Sequence, residues 1–479
     1  MNAKYLLIIL LLSVGLVSSC SDDDSFTTSS QHRLVFSEDT IKLDTVFSNV
    51  PTPAKSFWVY NKSGDGLRCT NIRLEHGNQT GFRVNVDGTY LGASVGYQMG
   101  GVEIRNKDSI RVFVELTSPY NYKEAAKYLE DNLLFTLESG ITQRVNLNAW
   151  SWDARLLHNV HIKKDSVISG EKPIVIYGGI KVDTMATLTI KEGTTLYFHN
   201  DAGIDVYGRL ICEGTAEKNV VLRGDRIDHM FDYLPYDYVT GQWQGIHFYG
   251  SSYDNEIVYT DIHSTFDGII VDSCDVNRLS LSLLSSTVHN CQGYGVMATN
   301  SQVLIENSQI TNTLNDCLYV NGGLASVNNC TLAQFYPFDA NRGVALRFSA
   351  RQYALEILKC QNSLITGYAD DEMMGEGGDS LTSFNYYFSD CIIRTPKITT
   401  EDSLCFVNVL FEDIKDTLHY GQKHFMRIDT DSLRYDFRLD TISPAIDRAN
   451  PLTSLPLDRN GIIRDEKPDI GAFERIKNN

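Results

Sequence analysis

The sequence predicts an all-β chain, in which a small sandwich of strands is followed by a long solenoid of stacked parallel strands. Three observations predict it. Apolar and polar residues alternate with period two over the first third of the chain. Two short aliphatic motifs then recur at loosely constant spacing. Turn-forming Gly and Asn residues punctuate both regions.

The first residues stand apart from that pattern. Lys4 precedes an apolar run from Tyr5 to Leu12 that fades at Ser18-Ser19, shorter than the ~20 apolar residues a membrane-spanning helix needs. It reads as a targeting segment. Val17-Ser18-Ser19-Cys20 resembles the lipobox of bacterial lipoproteins. The resemblance implies that residues 1–19 are a signal peptide and that a lipid anchor is attached to Cys20. Residues 20–32, with Asp22-Asp23-Asp24 and a Ser/Thr-rich run, read as a solvated tether. An acidic cluster after the lipidated cysteine resembles the export signal of surface-exposed lipoproteins in some gram-negative bacteria. The expected location is therefore the cell outer membrane, lipid-anchored and surface-exposed.

The 479 residues carry a net charge of −18, a field that repels nucleic acid, so no nucleic-acid partner is expected. Of the ten cysteines, nine follow Cys20, and no CxxC or Cys/His pair has zinc-ligand spacing. Cys291, Cys317, Cys330, Cys360 and Cys391 recur in strand-like contexts, where a buried small residue is the expected role.

Residues 33–150 are expected to form an immunoglobulin-like β-sandwich. Ile110, Val112, Val114 and Leu116 fall on one strand face, as do Leu133, Phe135 and Leu137, and Val145, Leu147 and Ala149. The segments 57–60 and 82–86 are further strands. Tyr122 to Leu129 is the one helical candidate.

From 155 to 435 the repeats take over. Val288, Ile310, Leu332, Ile365 and Ile393 each follow a small residue two places back (Ser286, Ser308, Cys330, Ser363, Cys391). Asn307, Asn329, Asn362 and Asp390 precede most of these, and the aliphatic position advances by 22, 22, 33 and 28 residues. A second series begins at Gly268, Gly295, Cys317 and Gly343. Two short strands per turn of about 22 residues, with loops leaving from one side, make a solenoid whose like residues stack in columns. The segments 188–198, 208–216 and 241–248 resemble the first turns of right-handed parallel β-helix proteins, the architecture of pectin and pectate lyases. The tail, with Ser443-Pro444-Ala445-Ile446-Asp447 and Asp469-Ile470-Gly471-Ala472-Phe473-Glu474, resembles the C-terminal segment of the choice-of-anchor Q family of bacterial surface proteins. Residues 436–479 are expected to cap the last open turn.

Chemistry is signalled weakly. The loop from Asp225 to Trp243 holds Arg226, Asp228, Asp232, Tyr233, Tyr236, Asp237 and Trp243, a mixture of acceptors and flat rings suited to a glycan. Asp370, Asp371, Glu372, Glu376 and Asp379 lie within ten residues and could gather around calcium, as could Asp458, Asn460 and Asp469. No cofactor is otherwise implied. His247, His263 and His289 fall in strand patterns, where a structural role is expected. No catalytic residue is assigned. The expected function is non-catalytic contact with a polysaccharide or another surface protein. The alternative is a lyase or hydrolase acting on an acidic polysaccharide, and it requires Arg226, Arg342 or Arg347 near two acids in one cleft.

Overall fold

The computed structural model describes residues 25–231 and 233–476. Cys20 and Asp232, singled out above, therefore lie outside the described residues. The chain divides into two compact units, Met1–Asp153 and Ala154–Asn479.

The first unit is a β-sandwich. One sheet orders Leu34–Phe36, Lys55–Asn61, Ser109–Leu116, Phe82–Val86 and Thr89–Tyr90. The other orders Thr40–Phe47, Thr142–Trp152, Lys127–Leu137, Leu67–Leu74 and Gln98–Met99. Pairing is antiparallel in both, except that Thr40–Phe47 runs parallel to Thr142–Trp152. The alternating residues of the two inner faces, among them Phe57, Val112, Phe135 and Leu147, share one core. The expected helix at Tyr122–Leu129 is absent. The strand Lys127–Leu137 begins there instead, because burying Leu129, Asp131 and Leu133 on one face demands period two.

The second unit is a right-handed parallel β-helix running from Arg155–Ile162 to Leu410–Phe411. Its interior is a set of stacked aliphatic columns. Ile262, Val288, Ile310, Leu332, Ile365 and Ile393 lie in direct register on successive turns, and all are fully buried. Each such side chain contributes ~1.5–3 kcal/mol on leaving water, and none could be buried by its own turn alone.

A full turn has three strands, not two, and the last, Phe406–Val407 and Leu410–Phe411, keeps only two of them. In two turns the first pair fuses into one long bent strand, Val296–Glu306 and then Leu318–Asn328. Val296–Glu306 pairs with both Ile269–Val271 and Leu279–Leu284 of the turn before, which hides the corner from a sequence reading. The second series also shifts. Leu318 faces Leu346, so Ala345 rather than Gly343 continues the column of Gly268, Gly295 and Cys317. A slip of two residues preserves which side faces inward, so the apolar pattern cannot detect it.

The corner before the third strand explains the polar columns. Asn307, Asn329, Asn362 and Asp390 adopt the left-handed conformation, with φ between 47° and 54°, which Asn and Asp tolerate better than other side chains. The small residue that follows completes a ladder. Ser286 N–H donates to Ser308 Oγ at 3.1 Å, and Cys330 N–H to Ser363 Oγ at 3.1 Å.

After the last turn comes a hairpin, Phe425–Asp429 with Arg434–Leu439, and then an irregular tail. The tail is not confined to the end of the solenoid. It runs back along the flank as a strap whose backbone and side chains meet the corner column. Asn450 N–H donates to Asn362 Oδ1 (2.8 Å), Leu455 N–H to Asn329 Oδ1 (3.0 Å), and Asn307 Nδ2 to the Leu457 carbonyl (2.7 Å). Beyond them, Arg459 reaches Thr287 Oγ1 (3.0 Å) and Asn219 Oδ1 (2.7 Å). Hairpin and strap cover outward residues Ala333, Leu364 and Ile392 in a second apolar core with Phe425, Phe437 and Ile470.

Candidate functional site

On the third face, beneath the Asp225–Trp243 loop and beside hairpin and strap, the outward side chains form a polar cluster. Asp261 and His263 alternate on the strand Thr260–His263 and so share one face. The next turn places Thr287 beneath Asp261 and His289 beneath His263. The two imidazoles stack with centroids 4.9 Å apart. Asp261 Oδ1 lies 2.8 Å from His263 Nδ1 and 3.2 Å from His289 Nε2. His263 Nε2 in turn meets Asp237 Oδ1 at 2.8 Å, and Arg223 pairs with the same carboxylate at 2.8 Å. The result is a chain from Arg223 through Asp237, His263 and Asp261 to His289.

Asp237 comes from the Asp225–Trp243 loop, carried on the short 3-10 turn Tyr236–Tyr238. Trp243 anchors that loop. Its indole is fully buried, stacks on Phe198 at 4.2 Å and donates to the His263 carbonyl at 2.8 Å. The Ser264 hydroxyl fixes the Asp237 carbonyl at 2.8 Å.

The electrostatics follow from this packing. Burial opposes a charge on His263, but Asp261 and Asp237 outweigh it and lift the imidazole to about 9. Burial likewise opposes the Asp237 charge, and His263 and Arg223 overcome it, holding the carboxyl at about 2. Asp261 is held well below the usual carboxylate range, against burial, by His263 and His289. Both carboxylates are thus anionic at neutral pH, with His263 clamped between them.

His289 is the open end. It is partly exposed, and its Nδ1 has no protein partner among the described residues. It lines a cleft of about 580 Å³ with Asn290, Gln309 and Asn312 on the floor, Tyr238 on the loop side, and Arg427, Arg434 and Tyr435 on the hairpin side. Arg434 donates to the Tyr238 hydroxyl at 2.8 Å and ties the two walls together.

The residues expected from sequence scatter by comparison. Asp237 joins the cluster. Arg226 is spent on a two-pronged pair with Asp228 (2.7 Å each) and lies 3.6 Å over the Tyr236 ring. Tyr233 is exposed and stacks on Phe231. Trp243 cannot offer a face to sugar because it is core.

The acidic loop does not converge either. Glu372 is fully buried and accepts the Ala369 and Ala345 N–H groups, Glu376 pairs with Arg347, and Asp379 turns to Thr382. Asp371 accepts Thr395 and Asp370 faces Arg394 at 3.7 Å. Asp458 and Asp469 accept backbone N–H groups of the strap itself, Asn460 and Ile462 for one, Asp447 and Arg475 for the other. Of the three arginines named, Arg347 does meet two acids, Asp316 (2.7 Å) and Glu376 (3.3 Å), but it does not line this cleft.

Nothing in the sequence singles out Asp261 or Arg223, and it assigns His263 and His289 only a structural role. The signal was the 26-residue step between two histidines at equivalent strand positions, which matters only once the register is known. His263 and His289 belong to the chain of five side chains described above. His247 does pair simply, with Asp272 at 2.9 Å.

Residues 156–332 match the family described as right handed beta helix region. Comparison with curated proteins returned no match. Among solved structures, the catalytic unit of a thermostable GH87 alpha-1,3-glucanase from Streptomyces thermodiastaticus strain HF3-3 overlaps at TM-score 0.27 and 11% identity, over 74% of this chain and 88% of that one. Dex49A from Penicillium minioluteum overlaps at TM-score 0.17 and 8% identity, over 77% and 82%. A family 123 glycoside hydrolase from Clostridium perfringens overlaps at TM-score 0.17 and 6% identity, and the chain spans 25% of its length. These overlaps are too loose to bear on any residue or activity.

The cluster itself corrects the expectation of contact without catalysis. A carboxylate at 2.8 and 3.2 Å from two stacked imidazoles, one of them lining a cleft, is the kind of grouping that active sites build and argues for chemistry over contact alone. The leaning against an enzyme falls with it.

Proposed function

We propose that the protein is a carbohydrate-active enzyme that cleaves an acidic polysaccharide, with His289 as the base. The observation that carries this is His289, backed by Asp261 at 3.2 Å and facing a cleft walled by Arg427 and Arg434. With Nε2 engaged by Asp261, Nδ1 is the nitrogen left to take a proton. Arg434, held by Tyr238, supplies donors suited to a sugar carboxylate, with Arg427, itself paired with Asp429 at 2.8 Å, beside it.

This arrangement favours a lyase over a hydrolase. A hydrolase typically uses two carboxyl groups flanking the bond, whereas Asp261 and Asp237 are both engaged by His263, and Asp436, which also lines the cleft, is paired with Arg438. In the lyase reaction His289 Nδ1 takes the proton beside the sugar carboxylate. The C–H electrons form the ring double bond, the bond to the leaving oxygen breaks, and that oxygen takes a proton, with the Tyr238 hydroxyl as donor.

The test is incubation of the chain from residue 31 onward with polyuronates and with neutral glucans. Unsaturated ends should accumulate from the polyuronates alone. Release of saturated reducing ends would replace the lyase with a hydrolase, and no release from any acidic chain would defeat the reading.

We also propose that the enzyme is held at the cell surface through a lipid on Cys20, a reading supported by Val17-Ser18-Ser19-Cys20 and the acidic tether. Incorporation of labelled fatty acid should be lost in Cys20→Ala.

A further inference from the structure

The donor set at the head of the cleft fits more than proton transfer. We propose that Asp261, His263 and His289 form a binding site for one divalent transition-metal ion, zinc being the best match to their donors. Two imidazole nitrogens and one carboxylate oxygen are ligands of intermediate softness, which select zinc over calcium or magnesium.

The ligand atoms are already gathered. They lie within 4.8 Å of one another, with His263 Nδ1 at 2.8 Å and His289 Nε2 at 3.2 Å from Asp261 Oδ1. A tetrahedral zinc with ~2.0–2.1 Å bonds needs ligand separations of about 3.3 Å. Asp261 Oδ1 is within a few tenths of an ångström of that spacing from each imidazole, and the two imidazole nitrogens, which lie within 4.8 Å of each other, must close by up to ~1.5 Å as the stacked rings turn. Two consecutive turns of the same sheet supply all three ligands, so the backbone that spaces them is rigid.

A second, independent feature points the same way. A histidine that binds a metal through one nitrogen almost always donates its other N–H to a carboxylate, which orients the ring. His263 does this with Asp237 at 2.8 Å, and Arg223 holds Asp237 in place at 2.8 Å. Loop, strand and arginine thus orient a ring whose remaining nitrogen faces Asp261 Oδ1 at 2.8 Å. Three protein ligands leave a fourth position for water or substrate.

On binding, the ion takes the place of the two protons between Asp261 and the imidazoles. The His263 Nδ1 proton goes to solvent, and the His289 proton moves from Nε2 to Nδ1. His289 then has no lone pair for the cleft, so the ion is an inhibitor of the reaction proposed above. The inference uses the same site as that reading, but binding is measured without turnover, and either can fail alone.

The experiment is equilibrium dialysis of the chelator-stripped chain against zinc chloride, with cobalt chloride as a spectroscopic probe. One zinc per chain should be retained. His289→Gln, which removes a ligand on a partly exposed side chain, should weaken retention at least a hundredfold. Asp237→Asn, which leaves every ligand in place, should weaken it about tenfold. Cobalt should give the intense visible absorption of a four-coordinate ion in the wild type and not in His289→Gln, with unchanged far-ultraviolet circular dichroism. Retention well below one zinc per chain, or equal retention in wild type and His289→Gln, would overturn the proposal. The polyuronate assay on the stripped protein tests the enzyme separately.

Discussion

Arg434 and Tyr238 are 196 positions apart, yet the guanidinium donates to the phenol oxygen at 2.8 Å across the mouth of the cleft. One residue belongs to the C-terminal hairpin and the other to the loop that delivers Asp237. The cleft is thus a product of two excursions from the solenoid that meet over its third face. Arg434→Ala removes a cleft cation and the tie together. KM for a polyuronate should rise about fivefold to tenfold, the equivalent of ~1–1.4 kcal/mol, with kcat changed less than twofold. Tyr238→Phe keeps the cation, so a KM near wild type with a lowered kcat would assign Tyr238 the proton-donor role.

His289 and Trp243 separate chemistry from support. His289→Gln keeps a polar side chain of similar reach but no base, so turnover should fall by about 10²–10⁴ with the melting temperature unchanged. Trp243→Ala opens a cavity against Phe198 and frees the loop that carries Asp237. It should cost ~3–5 kcal/mol of stability, read by denaturant unfolding. If His289→Gln were as destabilising as Trp243→Ala, His289 would be a structural residue after all.

How much of this was legible in the sequence depended on distance along the chain. The aliphatic column from Val288 to Ile393 could be read because one chemical requirement repeats at every turn. The corner column could be read for the same reason, as Asn307, Asn329 and Asn362 answer one demand for positive φ. The third strand of each turn was hidden where two strands fuse, and the Gly343 assignment slipped by two residues because parity is all that the apolar pattern records. The candidate site was mostly illegible. His263 and His289 meet only through register, and Asp237 meets them only because a buried Trp243 folds the loop back. The strap was read as an end cap, since nothing local tells Arg459 that its partner is Asn219, 240 positions away.

Glu372 gives the protein a pH dependence of known sign. Its side chain is fully buried, and burial raises the carboxyl to about 8 even though the Ala369 and Ala345 N–H groups and two arginines favour the anion. A folded-state pKa above the unfolded value of 4.5 means that the stabilising contribution is complete below pH 4.5 and is lost as pH rises through 8. Wild type should therefore lose on the order of 3 kcal/mol between pH 5 and 9. Glu372→Gln, which resembles the protonated form, should have a denaturation midpoint that falls with a clearly shallower slope over that range, the remaining slope coming from His263 and Asp469, whose folded-state values are also raised. Equal slopes for the two proteins would place the charge elsewhere.

Arg464 tests whether the strap does more than cover a face. Its guanidinium is buried and donates to the Asp469 and Gly471 carbonyls (3.0 and 2.8 Å), to Glu474 (3.2 Å) and to Asn307 Oδ1 of the corner column (3.2 Å). Arg464→Met leaves Glu474 buried without its cation, a loss of ~3–5 kcal/mol. Adding Glu474→Gln should recover part of it, because the cost is an unpaired charge rather than a missing contact. The strap also touches turns that do not touch each other, from Asn219 to Asn362. In a solenoid held only by nearest neighbours, distant turns unfold independently. With the strap loosened in Arg464→Met, the denaturant transition should broaden, and amide exchange should rise first in the corners at Asn307 and Asn329. A transition that shifts without broadening would mean that stacking alone already makes the turns cooperate.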